Sequence, residues 1–333
     1  MKNSIFFVII FIALSVFSCK DDNPTPPTPP PPTPSTYRVT SAEFQDNLLF
    51  VNRNDFQILT NKPATFISAD PIIQISASGL IKRLTAGEVA AIEITWTDDP
   101  SKKTTIYALG ATDDKANFDL PYRSFHGVPA TDPYNSYISG WKTLQKLPVS
   151  NETYAIILRH GDANDGVDFS VSTGPANWWK SCENTSARQL NALGRTRSTE
   201  LGKVLKDLKY PISRVISSEF CRSVETAKLM NIGPAIGEDA RINHSQHNTT
   251  GKGLFRGMLD VMNEQPVDNK MTLVVMHHPV NETGSQGSPS FPLVSPFTWT
   301  GSYLISIAAN KTITYQGAVS YAMFKHWRDN KPK

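Results

Sequence analysis

The stretch that decides the fold is Ala155-Ile156-Ile157-Leu158-Arg159-His160-Gly161, in which an apolar run ends abruptly at an arginine, a histidine and a glycine. Continuous apolar runs of this length are typical of strands that are buried in a parallel sheet. Open α/β sheets bind their ligands just beyond the carboxyl ends of such strands. The stretch therefore predicts a buried strand that delivers Arg159 and His160 to the ligand-binding edge of an α/β sheet.

Two further stretches follow the same pattern. Val215-Ile216-Ser217-Ser218 leads into Glu219-Phe220-Cys221-Arg222, and Leu273-Val274-Val275-Met276 leads into His277-His278. The three strands would bring two arginines and at least two histidines to one edge. An imidazole can attack phosphorus and form a phosphohistidine, and a guanidinium group pairs with phosphate oxygens at two points. The residue types therefore predict a site for phosphoryl transfer that needs no metal and no other cofactor.

Four motifs follow one another in the second half of the chain. They are Leu158-Arg159-His160-Gly161-Asp162-Ala163, Ala187-Arg188-Gln189-Leu190-Asn191-Ala192-Leu193-Gly194, Ser217-Ser218-Glu219-Phe220-Cys221-Arg222-Ser223-Val224-Glu225-Thr226-Ala227 and Val274-Val275-Met276-His277. In this order they resemble the histidine phosphatase (phosphoglycerate mutase-like) superfamily. The resemblance covers residues from about 151 to the C-terminus. It implies a mixed, mostly parallel α/β sheet with helices on both faces.

The resemblance also implies roles for individual residues. His160 would be the nucleophile that becomes phosphorylated, and Arg159, Arg222 and His277 would form the phosphate pocket with it. Asn191 is the expected N-cap of the helix that follows. The substrate would be a small phosphorylated molecule.

The proton donor is left open by the sequence. Asp162, Asp165, Glu219 and His278 are candidates, although a solvated loop carboxylate is the default interpretation of the three acids. His278 stands where many family members carry asparagine or, in the acid-phosphatase branch, an acid, and no glutamate of the mutase kind can be aligned. The motif Arg-His-Gly-Asp-Ala is most similar to that of small phosphohistidine phosphatases, which have no obvious proton donor. A missing donor would narrow the substrates to those with good leaving groups.

The N-terminus predicts export and a lipid anchor. Met1-Lys2 precedes an apolar segment at residues 5–14, so residues 1–18 are typical of a signal peptide. Val16-Phe17-Ser18-Cys19 resembles a bacterial lipobox, and Lys20-Asp21-Asp22 resembles the charged signal of surface-exposed Bacteroidota-type lipoproteins. We therefore expect an outer-membrane lipoprotein that is held to the membrane through Cys19 and exposed at the cell surface. The alternative is an ordinary cleaved signal peptide with a spare cysteine.

The remaining residues divide into further segments. Residues 19–36 are the lipidated cysteine and a Pro/Thr-rich linker, which is expected to extend as polyproline II. Residues 37–112 carry short β-branched runs between turns, which predict a small all-β sandwich. Within it, Ser76-Ala77-Ser78-Gly79-Leu80-Ile81-Lys82-Arg83-Leu84-Thr85-Ala86-Gly87 resembles the core of bacterial Ig-like domains. Residues 113–150 are interpreted as a connector, and residues 151–333 as the phosphatase domain.

The cysteines predict a disulfide. With Cys19 lipidated, only Cys182 and Cys221 remain, in an oxidising compartment. Cys221 precedes the pocket arginine, and Cys182 lies in the loop that follows the nucleophile. We expect the two to be bridged and to fix this loop near the active site. The alternative is two buried free thiols.

Composition excludes other classes of function. The 333 residues support two domains, and a hydrophobic content of 39 % is sufficient for packed cores. A formal net charge of +3 is almost neutral at this size, and no basic run alternates with aromatic residues, so nucleic-acid binding has no support. The sequence His244-Ser245-Gln246-His247 lacks cysteine or acidic neighbours and is more typical of a polar loop than of a metal site.

Three functions stay open from the sequence. The favoured one is a surface-anchored phosphatase that hydrolyses phosphomonoesters through a phosphohistidine on His160. The second is a protein phosphohistidine phosphatase. The Asp-Ala pair of the first motif suggests it, and an extracytoplasmic location argues against it. The third is a non-catalytic lipoprotein that binds a phosphate-bearing ligand.

Overall fold

The computed structural model describes residues 37–112, 133–147, 152–169, 174–244, 254–277 and 298–332. These residues belong to one compact unit that runs from Tyr37 to Lys333. The signal peptide, Cys19 and the Pro/Thr-rich linker lie outside the described residues, as do His247 and His278. The predictions that concern them stay predictions.

Residues 37–112 form two β-sheets. The strands are β1 (Phe44–Gln45), β2 (Leu48–Val51), β3 (Phe56–Gln57), β4 (Ala64–Ile67), β5 (Ile73–Ile75), β6 (Leu80–Leu84), β7 (Val89–Trp96) and β8 (Asp99–Gly110). Five of them pair in the order β1-β2-β8-β7-β4, and the other three pair in the order β3-β6-β5. One cluster of buried apolar side chains draws on both sheets. This half of the unit is therefore all-β around a shared core, and the Ig-like assignment stays a prediction.

In the second half, the described residues form a six-stranded sheet and five α-helices. Its strands are β9 (Thr153–Arg159), β10 (Ile212–Ser217), β11 (Ile236–Glu238), β12 (Met271–Met276), β13 (Ser302–Ile307) and β14 (Ile313–Val319). Its helices are α1 (Pro133–Lys146), α2 (Ala192–Asp207), α3 (Cys221–Met230), α4 (Leu254–Glu264) and α5 (Tyr321–Asn330). The strand order is β11-β10-β12-β9-β13-β14. The first four strands are mutually parallel, whereas β13 and β14 pair antiparallel. The predicted mixed α/β architecture is thus confirmed.

The register of the parallel strands places three strand ends side by side. Met276 at the end of β12 pairs with Arg159 at the end of β9, and Ser217 at the end of β10 pairs with Val275. Parallel strands point the same way, so the residues that follow β9, β10 and β12 emerge at one edge of the sheet. This edge is called the carboxyl-end edge below.

Helices cover both faces of the sheet because its central strands are apolar on both sides. Ile156 and Leu158 of β9 belong to one cluster, which includes residues of α1, α2, α3 and α5. Ala155 and Ile157 belong to the other, which includes residues of α4. Successive side chains of a strand point to opposite faces, so one continuous apolar run supplies two cores.

The first of these cores extends into the all-β half. Leu48, Phe50 and Leu109 of that half are buried in the same cluster as Tyr137 and Trp141 of α1. The two halves therefore share apolar packing and are not separate bodies joined by a tether.

Helix α1 occupies part of the segment that the sequence indicated as a connector. It packs closely on β14, where the Thr143 hydroxyl donates a hydrogen bond to the Gln316 carbonyl over 3.1 Å. A side chain at Gly140 would overlap the backbone of Ala318, so only glycine permits this approach. Glycine is a poor helix former, so Gly140 weakens the helical signal of the local sequence.

No helix within the described ranges is long and apolar enough to cross a membrane.

Candidate active site

Arg159, the last residue of β9, and His160, which follows it, are buried at the carboxyl-end edge, where the two residues are 1 % and 2 % exposed. Backbone hydrogen bonds hold both residues: the Arg159 amide donates to the Gly301 carbonyl over 2.9 Å, and the His160 amide donates to the Met276 carbonyl over 3.0 Å. Gly161 follows, and a side chain there would overlap the backbone of Gly194 at the start of α2. The glycine therefore lets α2 approach the turn that carries His160.

The ring of His160 is oriented by bonds at both nitrogens. Its Nδ1 atom lies 2.8 Å from the carbonyl oxygen of Gly161, and its Nε2 atom lies 3.2 Å from Nε of Arg222. A carbonyl oxygen can only accept and a guanidinium N–H can only donate. The ring proton is therefore on Nδ1, and the lone pair is on Nε2. Nε2 is the atom that can act as a nucleophile.

The surroundings of His160 keep its ring neutral. Burial, together with the positive charges of Arg222 and Arg159, holds the pKa of His160 well below its ordinary value, although the bond to Gly161 opposes the shift. A protonated imidazole has no lone pair to donate, so a low pKa keeps the nucleophile available at neutral pH.

Arg222 lies in the first turn of α3 and is 2 % exposed. In addition to its bond to His160, it donates from Nη1 to Oδ1 of Asp168 over 3.0 Å. Its Cζ atom lies 4.4 Å from the centre of the Phe220 ring, where a cation is attracted by the ring's π face. Burial lowers the pKa of Arg222 to about 10 against the opposing charge of Asp168, so the group is still a cation at neutral pH.

Arg159 provides a second buried cation. Its Cζ atom lies 3.4 Å from the centre of the Trp299 ring. The same tryptophan ring lies 5.1 Å from the ring of His160. Trp299 therefore contacts both residues of the turn and restricts where the Arg159 guanidinium can point.

His277 follows β12 directly and is 1 % exposed. Its ring centre lies 5.0 Å from that of His160, and its Nε2 atom lies 2.7 Å from the Ser218 hydroxyl. Nδ1 of His277 is buried and makes no hydrogen bond to the described part of the chain. If Ser218 donates to Nε2, the ring proton is on Nδ1, which can then donate to an oxygen bound between the two histidines.

The pKa of His277 is also lowered well below its ordinary value. Burial is the main cause, and the positive charge of Arg222 adds to it. His277 is therefore a neutral hydrogen-bond donor at neutral pH. The permanent positive charge of the site comes from the arginines.

Two residues that the sequence analysis did not assign to the site adjoin this group. Asp168 accepts hydrogen bonds from Arg222 and from the backbone and Nε of Arg188, over 3.0, 3.0 and 3.2 Å. The charge of Arg188 also lowers the pKa of both His160 and His277. Arg188 stands within one of the four motifs, so its position was a usable signal. Asp168 had no such signal in the sequence, because its partner Arg222 is 54 positions away.

The structure separates the candidate proton donors. Glu219 accepts hydrogen bonds from Lys180 over 2.7 Å and from Asn243 over 2.8 Å. Burial opposes their effect, but these bonds lower the pKa of Glu219 and keep it ionised at neutral pH. The Glu219 carboxylate is therefore engaged by two donors on the described part of the chain, and its role as the acid stays a prediction.

The other two carboxylates lie in the loop after β9. Asp165 is exposed and accepts a hydrogen bond from Asn184 over 3.3 Å. Asp162 is half-buried, and its Oδ1 atom makes no hydrogen bond within the described ranges. No hydrogen bond joins Asp162, Asp165 or Glu219 to His160 or His277. His278, the fourth candidate, is outside the described residues.

A disulfide connects Cys182 with Cys221, whose Cα atoms are 5.3 Å apart. Cys221 is the first residue of α3 and precedes Arg222 in the chain. The bridge therefore fastens the segment after the 3₁₀ turn Trp178–Lys180 to the helix that carries the pocket arginine. A salt bridge of 2.7 Å between Lys180 and Glu219 supports the same attachment.

In the residues that the structure describes, no group of three or more His, Cys, Asp or Glu side chains could hold a metal ion. The ring of His244 lies 5.9 Å from that of His277. Its predicted companion in the polar loop, His247, lies beyond the described ranges.

No protein-family model and no curated protein sequence matches this chain. Solved structures do match it over about half its length. The protein histidine phosphatase SixA complexed with tungstate is 21 % identical, with 50 % of this chain aligned to 97 % of that one at a TM-score of 0.37. YhfR from Bacillus stearothermophilus is 17 % identical, with 51 % and 99 % aligned at a TM-score of 0.36.

A mutant phosphoserine phosphatase from Entamoeba histolytica, in complex with phosphoserine, is 13 % identical, with 51 % and 98 % aligned at a TM-score of 0.34. At these identities and TM-scores, the function has to be argued from the site itself.

Proposed function

We propose that this protein is a phosphatase that hydrolyses phosphomonoesters through a phosphohistidine on Nε2 of His160. The observation that carries the proposal is the buried, neutral imidazole of His160, whose Nε2 lone pair lies against Arg222. A lone pair next to a permanent cation suits attack on a phosphoryl group, because the cation stabilises the negative charge of its oxygens.

The reaction has two steps. In the first, the Nε2 lone pair of His160 gives up its hydrogen bond to Arg222 and attacks phosphorus, the bond from phosphorus to the ester oxygen breaks, and the leaving alkoxide takes a proton from water. In the second, water attacks the phosphohistidine, the phosphorus–nitrogen bond breaks, and inorganic phosphate leaves with the lone pair restored to Nε2. Arg159, Arg222 and Nδ1 of His277 would hold the phosphoryl oxygens throughout.

The carboxylates near the site influence which substrates react. Against the effect of burial, hydrogen-bonded cations lower the pKa of Glu219 and of Asp168, which favours the ionised form of both carboxyls at neutral pH. If Asp162 and His278 supply no proton either, substrates whose leaving group needs little protonation, such as aryl phosphates, react fastest. The lack of an assigned proton donor also supports the second candidate function, a protein phosphohistidine phosphatase. The predicted export of the protein argues against this candidate.

We propose in addition that the protein is a lipoprotein of the outer membrane, anchored through Cys19 and exposed at the cell surface. The support is the signal-like segment of residues 1–18, the lipobox-like residues before Cys19 and the charged residues after it. Metabolic labelling with palmitate tests this, because Cys19→Ala should abolish the label. Equal labelling of the variant would contradict the lipid anchor.

Hydrolysis of p-nitrophenyl phosphate by the purified protein, beside His160→Ala, tests the phosphatase proposal. We expect turnover and an acid-labile, alkali-stable phosphoryl label on the wild type, and neither on His160→Ala. Undiminished activity in the variant would eliminate covalent catalysis at His160. Phosphate binding without turnover in the wild type would favour the non-catalytic lipoprotein instead, and circular dichroism would show whether the variant is folded.

A further inference from the structure

Asp168 places a negative charge within the group of cations that would hold the phosphoryl oxygens. Its carboxylate accepts hydrogen bonds from Nη1 of Arg222 and from the backbone and Nε of Arg188. Among the described residues these are all of its hydrogen-bond donors. The Asp168 side chain is 25 % exposed, whereas that of Arg222 is 2 % exposed. A partly exposed carboxylate therefore pairs with a buried cation.

Asp168 occupies a guanidinium donor that a phosphate dianion could use. Nε of Arg222 is directed at His160, so Nη1 is one of the donors left for an oxygen of the substrate, and Asp168 already accepts from it. Burial opposes ionisation of Asp168, but the charges of Arg222 and Arg188 outweigh it and hold its pKa below the ordinary value. A bound phosphate would therefore meet a full negative charge on the same guanidinium group.

We propose that Asp168 is an internal counter-anion that shares Arg222 and Arg188 with the phosphoryl group and so weakens the retention of inorganic phosphate. The inference rests on the proposed function, since it assigns product release to the same site. Such a residue pairs with both arginines while the site is empty. Once the substrate has reacted, the negative charge of Asp168 repels the bound phosphate dianion and favours release of the product.

A purely structural role for Asp168 predicts the opposite change. If the carboxylate only orients the arginines, its loss would let them move and would weaken phosphate binding. If it competes with phosphate, its loss would strengthen phosphate binding and lower KM. The direction of the change therefore distinguishes the two roles.

The test compares Asp168→Asn with a matched variant, Asp268→Asn. Asp268 also pairs with an arginine, over 2.9 and 3.1 Å to Arg214, but it precedes β12 and so lies at the opposite edge of the sheet. Titration calorimetry with inorganic phosphate on the full chain at neutral pH gives Kd, and product inhibition of p-nitrophenyl phosphate hydrolysis gives the inhibition constant.

For Asp168→Asn we expect both constants to fall by about tenfold and KM to fall with them, because one repulsive charge has been removed. For Asp268→Asn we expect no change. Asp168→Ala is a second variant with the same expected direction, in case the asparagine variant does not fold. Phosphate binding that is unchanged or weaker in the folded Asp168 variants would overturn the inference.

The controls also separate this inference from the proposed function. A wild-type protein that neither binds phosphate nor hydrolyses p-nitrophenyl phosphate would overturn both. A wild-type protein that does both, while its Asp168 variants bind phosphate no more tightly, would overturn only the role of Asp168.

Discussion

Arg222 donates from Nε to Nε2 of His160 over 3.2 Å, so the side chain that would stabilise the phosphoryl oxygens also sets the protonation of the nucleophile. The positive charge of Arg222 is the largest influence after burial in lowering the pKa of His160. One residue therefore affects both the affinity of the site and the pH range over which it works.

The first prediction concerns the acid limit of activity. Because the pKa of His160 is well below its ordinary value of 6.5, the nucleophile stays neutral as the pH falls through 6.5. We expect kcat/KM, corrected for ionisation of the substrate, to stay level well below pH 6.5 before it declines. A pH–rate profile with p-nitrophenyl phosphate measures this. Half of the activity lost near pH 6.5 would show that His160 titrates as an exposed histidine does.

The second prediction concerns Arg222. Arg222→Gln removes the cation, so the pKa of His160 should rise and the acid limb of the profile should move to higher pH. We also expect kcat/KM at neutral pH to fall by roughly 10²–10³, as when an oxyanion donor is removed. Arg214→Gln is the matched control, because Arg214 lies on the same sheet and pairs with Asp268 away from the site. An acid limb that does not move in Arg222→Gln would contradict the electrostatic coupling.

The sequence predicted those residues of the site that directly follow short apolar runs, because each run indicates a buried strand. β9, β10 and β12 are local features, and the rule that ligands bind at the carboxyl ends of parallel strands extends them to one edge. One helix cap was also a local feature. Asn191 caps α2, as expected, by accepting a hydrogen bond from the Gly194 amide over 2.8 Å.

The parts that were not predicted depend on contacts between distant residues. The bond between Asp168 and Arg222 joins positions 54 apart, and no local pattern marks a carboxylate that will meet an arginine. Likewise, the shared core of the two halves joins Phe50 to Trp141 through tertiary packing. The apolar residues of each half indicate strands and helices with a buried side. They do not indicate which surface of one half packs against the other half.

The third prediction concerns the disulfide. Cys182 and Cys221 are 39 positions apart, and closing a loop of that length in the unfolded chain corresponds to about 4 kcal/mol of stability. We expect the double variant Cys182→Ala/Cys221→Ala to unfold at lower urea concentration than the wild type. Dithiothreitol should lower the midpoint of the wild type and leave that of the double variant unchanged. A wild-type midpoint that does not respond to complete reduction would contradict a stabilising bridge.

The fourth prediction concerns the dependence of stability on pH, which involves His326 of α5. Its ring lies 4.4 Å from the ring of Tyr107 and 5.6 Å from that of Trp141, and burial lowers its pKa to about 4 against the opposing charge of Asp329. Between pH 6.5 and about 4 the unfolded chain binds a proton at this residue and the folded protein does not, so the stability present above pH 6.5 is lost as the pH falls. The contribution of His326 is on the order of 2 kcal/mol, and the buried His160 and His277 act in the same direction. Urea unfolding at pH 7.5 and pH 5 should therefore show a smaller loss for His326→Gln than for the wild type, and an equal loss in both proteins would mean that His326 does not contribute.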